Sequence, residues 1–118
     1  MVEGLQPIVL HDLLRIAEQP ERYDWQPFHA GIDIHRLYGG AGEGPAAALL
    51  RYRPGAQVPA HLHQGWEHIL VLAGSQADEH GVYPAGSLLT SPPGSSHSVT
   101  SAQGCIVLAI WERPVCFL

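Results

Sequence analysis

The chain has 118 residues, enough for one domain with one sizeable hydrophobic core. Its formal net charge is −5 with only 6 lysines and arginines, which form no cluster, so we expect no binding of DNA or RNA. The longest uninterrupted apolar stretch, Cys105 to Trp111, is seven residues long, whereas a membrane-spanning helix needs about 20, so no membrane partner is expected.

The first 24 residues precede the strand-like part of the chain and contain its one plausible helix. The pattern predicts a short helix within residues 8–19, with Asp12 as a candidate N-cap and Pro20 as the residue that ends it. We therefore divide the chain into an N-terminal segment, residues 1–24, and a main domain, residues 25–118.

From Trp25 onward the sequence is typical of β-strands. The chain contains 13 glycines and 10 prolines, and they separate short apolar runs at the spacing expected of strands joined by turns. The predicted strands cover residues 28–37, 46–52, 58–63, 68–73, a short piece around Tyr83, 87–90, 97–100 and 105–111. The pattern indicates an all-β fold, either a sandwich or a small barrel.

The two cysteines favour a reducing compartment. A single pair near one end is a poor disulfide framework, and Cys105 lies in an apolar run that predicts an inert core thiol. Residues 1–4 lack the basic start of a secretory signal, and no long apolar run follows them. We expect a cytoplasmic protein.

The most informative pattern is His61-x-His63-x3-Glu67, with His97 thirty residues after Glu67. Side chains two apart on an extended strand point to the same face, so His61 and His63 can converge on one point. Three imidazoles and a carboxylate suit a divalent transition metal such as Zn, Fe, Mn, Ni or Cu better than Ca or Mg. The same set could close a tetrahedral structural site or leave positions open for a substrate, and the sequence does not choose between these.

The glycines around these residues carry a family resemblance. The first half, G-x5-H-x-H-x3-E-x6-G from Gly55 to Gly74, resembles the first cupin motif without a mismatch. The second half, G-x5-P-x-G-x2-H from Gly86 to His97, resembles the second cupin motif, except that Ser101 stands where an asparagine is usual. The resemblance covers roughly residues 25–112. It implies a double-stranded β-helix, the cupin jelly roll, that binds a metal.

Within the cupins, the chain resembles two groups. Residues 78–86, residues 92–97 and Gly104-Cys105 are similar to the cupin domain of ChrR-type anti-sigma factors and to small cupins grouped with acetylacetone-cleaving dioxygenases. ChrR-type proteins also have a helical zinc-binding domain that binds the sigma factor. The 118 residues of this chain fit one domain, so we do not expect that second domain within them.

Several other residues are weaker candidates for a role in the site. The remaining histidines, His11, His29, His35, His68 and His80, lack the motif spacing and are not expected to be ligands. Asp78 and Glu79 could supply a general base, but a solvated hairpin face is the favoured interpretation. Trp66 and Trp111 could wall a pocket beside the metal or pack in the core, and Tyr83 could donate a hydrogen bond near the site.

Two functions are compatible with these residues. The resemblance to ChrR implies a non-catalytic metal-binding domain that responds to a small molecule or an oxidant. The alternative is a small metal-dependent dioxygenase acting on a diketone-like or other small organic substrate; catalytic residues are not assigned. A sugar-processing cupin is less favoured because no cationic cluster is present to hold a phosphate. The apolar C-terminal tail, Val115 to Leu118, would be costly to expose, and we expect a homodimer.

Overall fold

Ten strands and two short 3-10 helices make up residues 5–118, the part of the chain that this computed structural model describes. The strands are β1 (Gln26–His29), β2 (Ile32–Tyr38), β3 (Ala46–Tyr52), β4 (Ala56–Leu62), β5 (Glu67–Asp78), β6 (Gly81–Pro84), β7 (Leu88–Ser91), β8 (Ser96–Ser101), β9 (Cys105–Trp111) and β10 (Cys116–Phe117). All their pairings are antiparallel. The prediction of an all-β fold with a short N-terminal helix is confirmed.

The long strand β5 belongs to both halves of the curled sheet. The strands follow the order β1-β2-β3-β9-β5-β8-β4-β10, while β6 and β7 also pair with β5. The first half of β5 lies against β9 and β7, and its second half pairs with β6. This shared strand brings β4, β5 and β8, the strands that carry the histidine motif, around one interior.

The main core lies between the two halves of the sheet. Strand alternation sends one set of side chains inward, and the most completely buried of these include Ile32, Ile34, Val71, Val107 and Ala109. A second, smaller cluster lies on the outer face, where Ile16 packs against Leu49 and Leu72. Full burial of one isoleucine side chain contributes about 2 kcal/mol, so this contact attaches the N-terminal segment to the sheet.

The N-terminal helix differs in detail from the prediction. It is a 3-10 helix over Leu13–Glu18, followed by a second one over Pro20–Arg22. Asp12 does occupy the predicted N-cap position, but it has φ 54° and its side chain makes no capping hydrogen bond, so the capping itself was predicted wrongly. The packing of Ile16, rather than a cap, accounts for the position of this short helix.

Three strand boundaries also differ. The predicted strand over residues 28–37 is a hairpin, β1 and β2, that turns at Gly31 with φ 76°. Strand β5 continues past Gly74 to Asp78 because the glycine bends the strand without ending it. The two-residue strand β10 was not predicted; it pairs with β4, which leaves Leu118 exposed.

We expect Gly74→Ala to destabilise the fold strongly. Gly74 has φ 70°, and a Cβ there would collide with the backbone carbonyl of Gly104 and approach Cys105 Cα to 3.0 Å. Left-handed backbone alone costs about 1–2 kcal/mol, and the collision adds to it. Gly55→Ala is the matched control, because Gly55 has φ 84° but open space around it. Urea denaturation should give the larger loss of unfolding free energy for Gly74→Ala; equal losses would contradict the steric argument.

Candidate metal centre

The structure brings together the four side chains of the motif, His61, His63, Glu67 and His97. One ligand atom from each lies within 4.8 Å of the others, and every one of these residues is at most 5% exposed. His61 on β4 pairs in register with His97 on β8, and Glu67 is the first residue of β5. The group could hold a metal ion.

His63 lies just beyond the end of β4, so it is not on the extended strand that the sequence predicted. Two backbone hydrogen bonds fix it: its own amide donates to the Ser95 carbonyl over 2.8 Å, and the Gly94 amide donates to its carbonyl over 2.8 Å. The turn before His97 therefore positions His63, and the two cupin motifs meet through the backbone.

The outer ring nitrogens of His61 and His63 are both used as hydrogen-bond donors. His61 Nδ1–H donates to the Pro59 carbonyl over 2.9 Å. His63 Nδ1–H donates to Ser95 Oγ over 2.8 Å, and that hydroxyl in turn donates a hydrogen bond to the Pro92 carbonyl over 2.6 Å. A carbonyl only accepts, and the Ser95 proton is already committed, so both rings carry their proton on Nδ1. Their Nε2 lone pairs face the centre.

His97 is oriented in the same way by Asp78. His97 Nδ1–H donates to Asp78 Oδ2 over 3.0 Å, while Asp78 Oδ1 accepts from the Tyr83 hydroxyl and the His80 amide, each over 2.8 Å. Burial opposes ionisation of Asp78, but these three hydrogen bonds outweigh it and hold the pKa of the carboxyl below its ordinary value. Asp78 is therefore a carboxylate that fixes the ring of His97.

Glu67 supplies the charge at the centre. Its Oε2 accepts from Trp111 Nε1 over 2.7 Å, and its Oε1 lies 3.1 Å from His63 Nε2 and 3.8 Å from His97 Nε2. Burial raises the pKa of Glu67, but positive charge on the imidazoles, first of all a proton on His63 Nε2 that Glu67 Oε1 accepts, outweighs burial and holds that pKa below its ordinary value. A metal ion would supply that positive charge in place of the proton. Burial also lowers the pKa of His61, which keeps its ring neutral, as a metal ligand must be.

The donor set fits a cation. Three Nε2 lone pairs and one carboxylate oxygen face a common point, and among residues 5–118 no hydrogen-bond partner reaches His97 Nε2, a buried atom. Electron-pair donors so arranged repel one another unless positive charge lies between them. Nitrogen and oxygen ligands of this kind suit a divalent transition metal.

Asp78 was misjudged from the sequence. The favoured interpretation placed Asp78 and Glu79 on a solvated hairpin face, yet the Asp78 side chain is 5% exposed and contacts His97. Glu79 does lie on the surface, where it accepts from the Ser98 amide over 2.9 Å. The hydrogen bond from Tyr83 to Asp78 bears out the predicted hydrogen-bonding role of that tyrosine near the site.

Other candidate residues lie outside the cluster. His68 points away from Glu67, as expected, and its Nδ1 lies 3.1 Å from Thr90 Oγ1. Trp111 lines the adjacent cavity and contacts Glu67, whereas Trp66 is 45% exposed and is neither a pocket wall nor a core residue. His80 contributes its backbone amide to Asp78 but not its ring.

We expect Asp78→Asn to weaken metal binding about tenfold, because an amide orients His97 less strongly than a carboxylate and adds no charge. Glu79→Gln is the matched control. Glu79 is the next residue after Asp78, but its carboxylate accepts hydrogen bonds from the Ser98 amide and not from His97. Competition titration with a chromophoric chelator measures both affinities. Equal affinities for the two variants would show that Asp78 does not support the centre.

A cavity of about 250 Å³ lies against the cluster. His61, Glu67 and His97 form part of its wall, and apolar side chains, among them Ile34, Val58, Ile69 and Val99, form most of the remainder. The lining also includes exposed residues, such as Arg36 and Phe117, and two buried polar residues, Tyr52 and Gln76. The candidate centre is thus accessible to a small molecule.

Comparison with known proteins gives one family and one curated relative. The model of the family described as ChrR cupin-like domain matches residues 14–113. The anti-sigma-E factor ChrR of Cereibacter sphaeroides is 38% identical over an alignment 105 residues long, which covers 86% of this chain and 48% of that protein. The chain thus spans about half the length of the curated relative it matches.

Solved structures show the same fold. A putative acetylacetone dioxygenase from Methylibium petroleiphilum PM1 superposes with a TM-score of 0.77 at 17% identity, covering 100% of this chain and 85% of that one. The acetylacetone dioxygenase of Acinetobacter johnsonii gives 0.76 at 15% identity, covering 100% and 80%. The complex of Rhodobacter sphaeroides SigE with the anti-sigma factor ChrR gives 0.70 at 24% identity, covering 92% and 71%.

Proposed function

The chain belongs to the ChrR cupin-like domain family, and we propose that it is a metal-binding domain that responds to a small molecule or an oxidant. One observation carries the proposal: four buried ligand atoms face a common point beside a cavity large enough for a small molecule. A small molecule or oxidant that enters the cavity can contact His61, Glu67 and His97, which line it, and so change the state of the site.

In this proposal His61, His63, Glu67 and His97 hold one divalent transition ion, Zn, Fe, Mn or Ni. A bound ion of this kind supplies Lewis acidity to a ligand atom that enters from the cavity. The protein's own residues orient the ligands: Asp78 holds His97, Ser95 holds His63, and Trp111 holds Glu67. The surrounding apolar wall limits access by water.

We expect removal of the metal to lower the melting temperature by about 10 °C. An ion present at about 100 times its Kd stabilises the folded state by about 2.7 kcal/mol, and a domain of this size melts several degrees higher for each kcal/mol. Metal analysis of protein purified without added metal, followed by melts before and after chelation, measures both quantities. Protein that purifies without transition metal, and melts alike with and without added Zn, Fe, Mn or Ni, would refute the proposal.

The second candidate is a small metal-dependent dioxygenase for a diketone-like or other small organic substrate. The observation that favours it is the cavity itself, because His61, Glu67 and His97 line it directly. Oxygen uptake by iron-loaded protein over a panel of small carbonyl compounds, acetylacetone included, tests it. Turnover that His97→Ala abolishes would establish the enzyme and exclude a purely non-catalytic domain.

A homodimer and a cytoplasmic location are parts of the same proposal. The edge strands β1 and β10 expose Phe28 and Phe117, which gives a second copy an apolar surface to cover. Cys105 and Cys116 are both free, which suits a reducing compartment. Within residues 5–118, no helix has the length and apolar character needed to cross a bilayer. Light scattering coupled to gel filtration measures the oligomeric state.

A further inference from the structure

Two buried polar side chains, Tyr52 and Gln76, line the cavity. Gln76 is 2% exposed and Tyr52 is 5% exposed, and both line the cavity. Gln76 Nε2 donates to the Tyr52 hydroxyl over 3.4 Å. Gln76 Oε1 has no hydrogen-bond partner among residues 5–118, although it is fully buried.

An irregularity in β5 turns Gln76 inward. Glu67, Ile69 and Val71 alternate toward the interior along the first half of the strand. The register then shifts between Val71 and Ala73, which moves the inward positions from odd to even residue numbers. Gln76 therefore faces the same cavity as Glu67.

The pair offers one donor and one acceptor side by side. Burial raises the pKa of Tyr52 well above its ordinary value, so its hydroxyl is protonated and can donate. Gln76 Oε1 accepts. If the carboxamide is turned by 180°, its oxygen accepts from the Tyr52 hydroxyl. Gln76 Nε2 is then free to donate to a ligand, and Tyr52 Oη is free to accept from it. In either orientation the pair offers a ligand one donor and one acceptor. A group that both donates and accepts satisfies either arrangement, and a hydroxyl is the smallest organic group that does so.

The surroundings define the rest of the ligand. The same cavity is lined by the apolar side chains of Ile34, Val58, Ile69 and Val99. A buried carboxamide oxygen without a hydrogen-bond partner is unfavourable in such a place, and leucine would fill a similar space without that cost. A ligand that completes the hydrogen bonds removes the cost.

We propose that Gln76 and Tyr52 form a subsite for the hydroxyl group of a small, mainly apolar alcohol or phenol. The apolar body of this molecule lies along the cavity, and its other end reaches the metal centre. The part of the inference that concerns the metal end rests on the proposed function. The hydroxyl subsite itself needs no metal, and its test can be separated from that function.

The first test uses phenol and toluene, which have nearly the same shape and differ in the hydroxyl group. In metal-free protein, NMR titration should show phenol shifting the side-chain amide signals of Gln76 and binding about five- to tenfold more tightly than toluene. Gln76→Leu should abolish the preference, while Gln57→Leu, an exposed glutamine on β4, should keep it. Tyr52→Phe, which keeps the ring, should reduce it.

Thermal melts separate ligand binding from a structural role. If Gln76 serves binding, Gln76→Leu should melt at the same temperature as the wild type or higher, because it removes an unpartnered polar group from the core. A lower melting temperature together with a surviving phenol preference would overturn the proposal. Equal affinities for phenol and toluene, or no shift of the Gln76 amide in millimolar phenol, would also overturn it.

The second test adds the metal end, with benzohydroxamate and its 3- and 4-hydroxy derivatives as probes of zinc-treated protein. A hydroxy derivative should bind several-fold more tightly than the parent, and Gln76→Leu should remove the difference. A phenol preference without hydroxamate binding would refute the metal centre and leave the hydroxyl subsite standing. Hydroxamate binding with no hydroxyl preference for any of these probes would refute the subsite and leave the metal centre standing.

Discussion

His63→Ala should leave the protein nearly free of metal after dialysis, whereas His80→Ala should retain the wild-type content. His63 is almost fully buried, and its Nε2 lies 3.1 Å from Glu67 Oε1 at the centre of the cluster. Removing it takes away one of the four candidate ligands and leaves a buried space beside the Ser95 turn. The ring of His80 is exposed, and its substitution keeps the backbone amide that donates to Asp78.

Elemental analysis of both variants, each expressed with the same metal supply, measures the result. Far-UV circular dichroism must first show that each variant keeps its β-sheet spectrum. Equal metal content in two folded variants would mean that His63 is not a ligand. A joint loss would instead point to a requirement for the β5–β6 hairpin, where His80 and Asp78 lie.

The family, the all-β class and most strand positions could be predicted because their signals are local. Apolar alternation, turn residues and the two glycine-framed motifs each lie within a short stretch of sequence. The convergence of His61 and His97 also follows from the motifs, since neighbouring strands place them opposite each other. That these residues bind an ion remains a prediction that the His63→Ala comparison addresses.

The missed residues depend on contacts that no local pattern records. Asp78 reaches His97 only because β5 bends at Gly74 and continues to Asp78. The strand predicted from the sequence ended at Ala73. Gln76 faces the cavity only because of the register shift after Val71, since regular alternation from Glu67 sends an even-numbered residue outward. Trp111 was a candidate pocket wall, but its hydrogen bond to Glu67, 44 residues earlier in the chain, depends on the pairing of β5 with β9.

The charge of Glu67 bears on both candidate functions, because Glu67 is the anionic member of the donor set. Glu67→Gln keeps the shape of the side chain and an oxygen for Trp111 Nε1, but it removes the negative charge beside three imidazoles. In a domain that holds its ion for stability or signalling, this variant should lose most of the metal-dependent rise in melting temperature. The expected loss is several degrees, because the bound ion stabilises only the folded state.

A catalytic centre predicts a different pattern for the same variant. If Glu67 occupies a position that a substrate can share, Glu67→Gln should retain much of its metal while oxygen uptake changes. Melts with and without metal, metal content and oxygen uptake, measured together on wild type and Glu67→Gln, separate the two outcomes. The metal-dependent difference between melts is the quantity to compare, since it cancels the direct effect of the substitution on the fold. A variant that keeps its metal and its full stabilisation would show that the three histidines suffice, and Glu67 would then be no ligand.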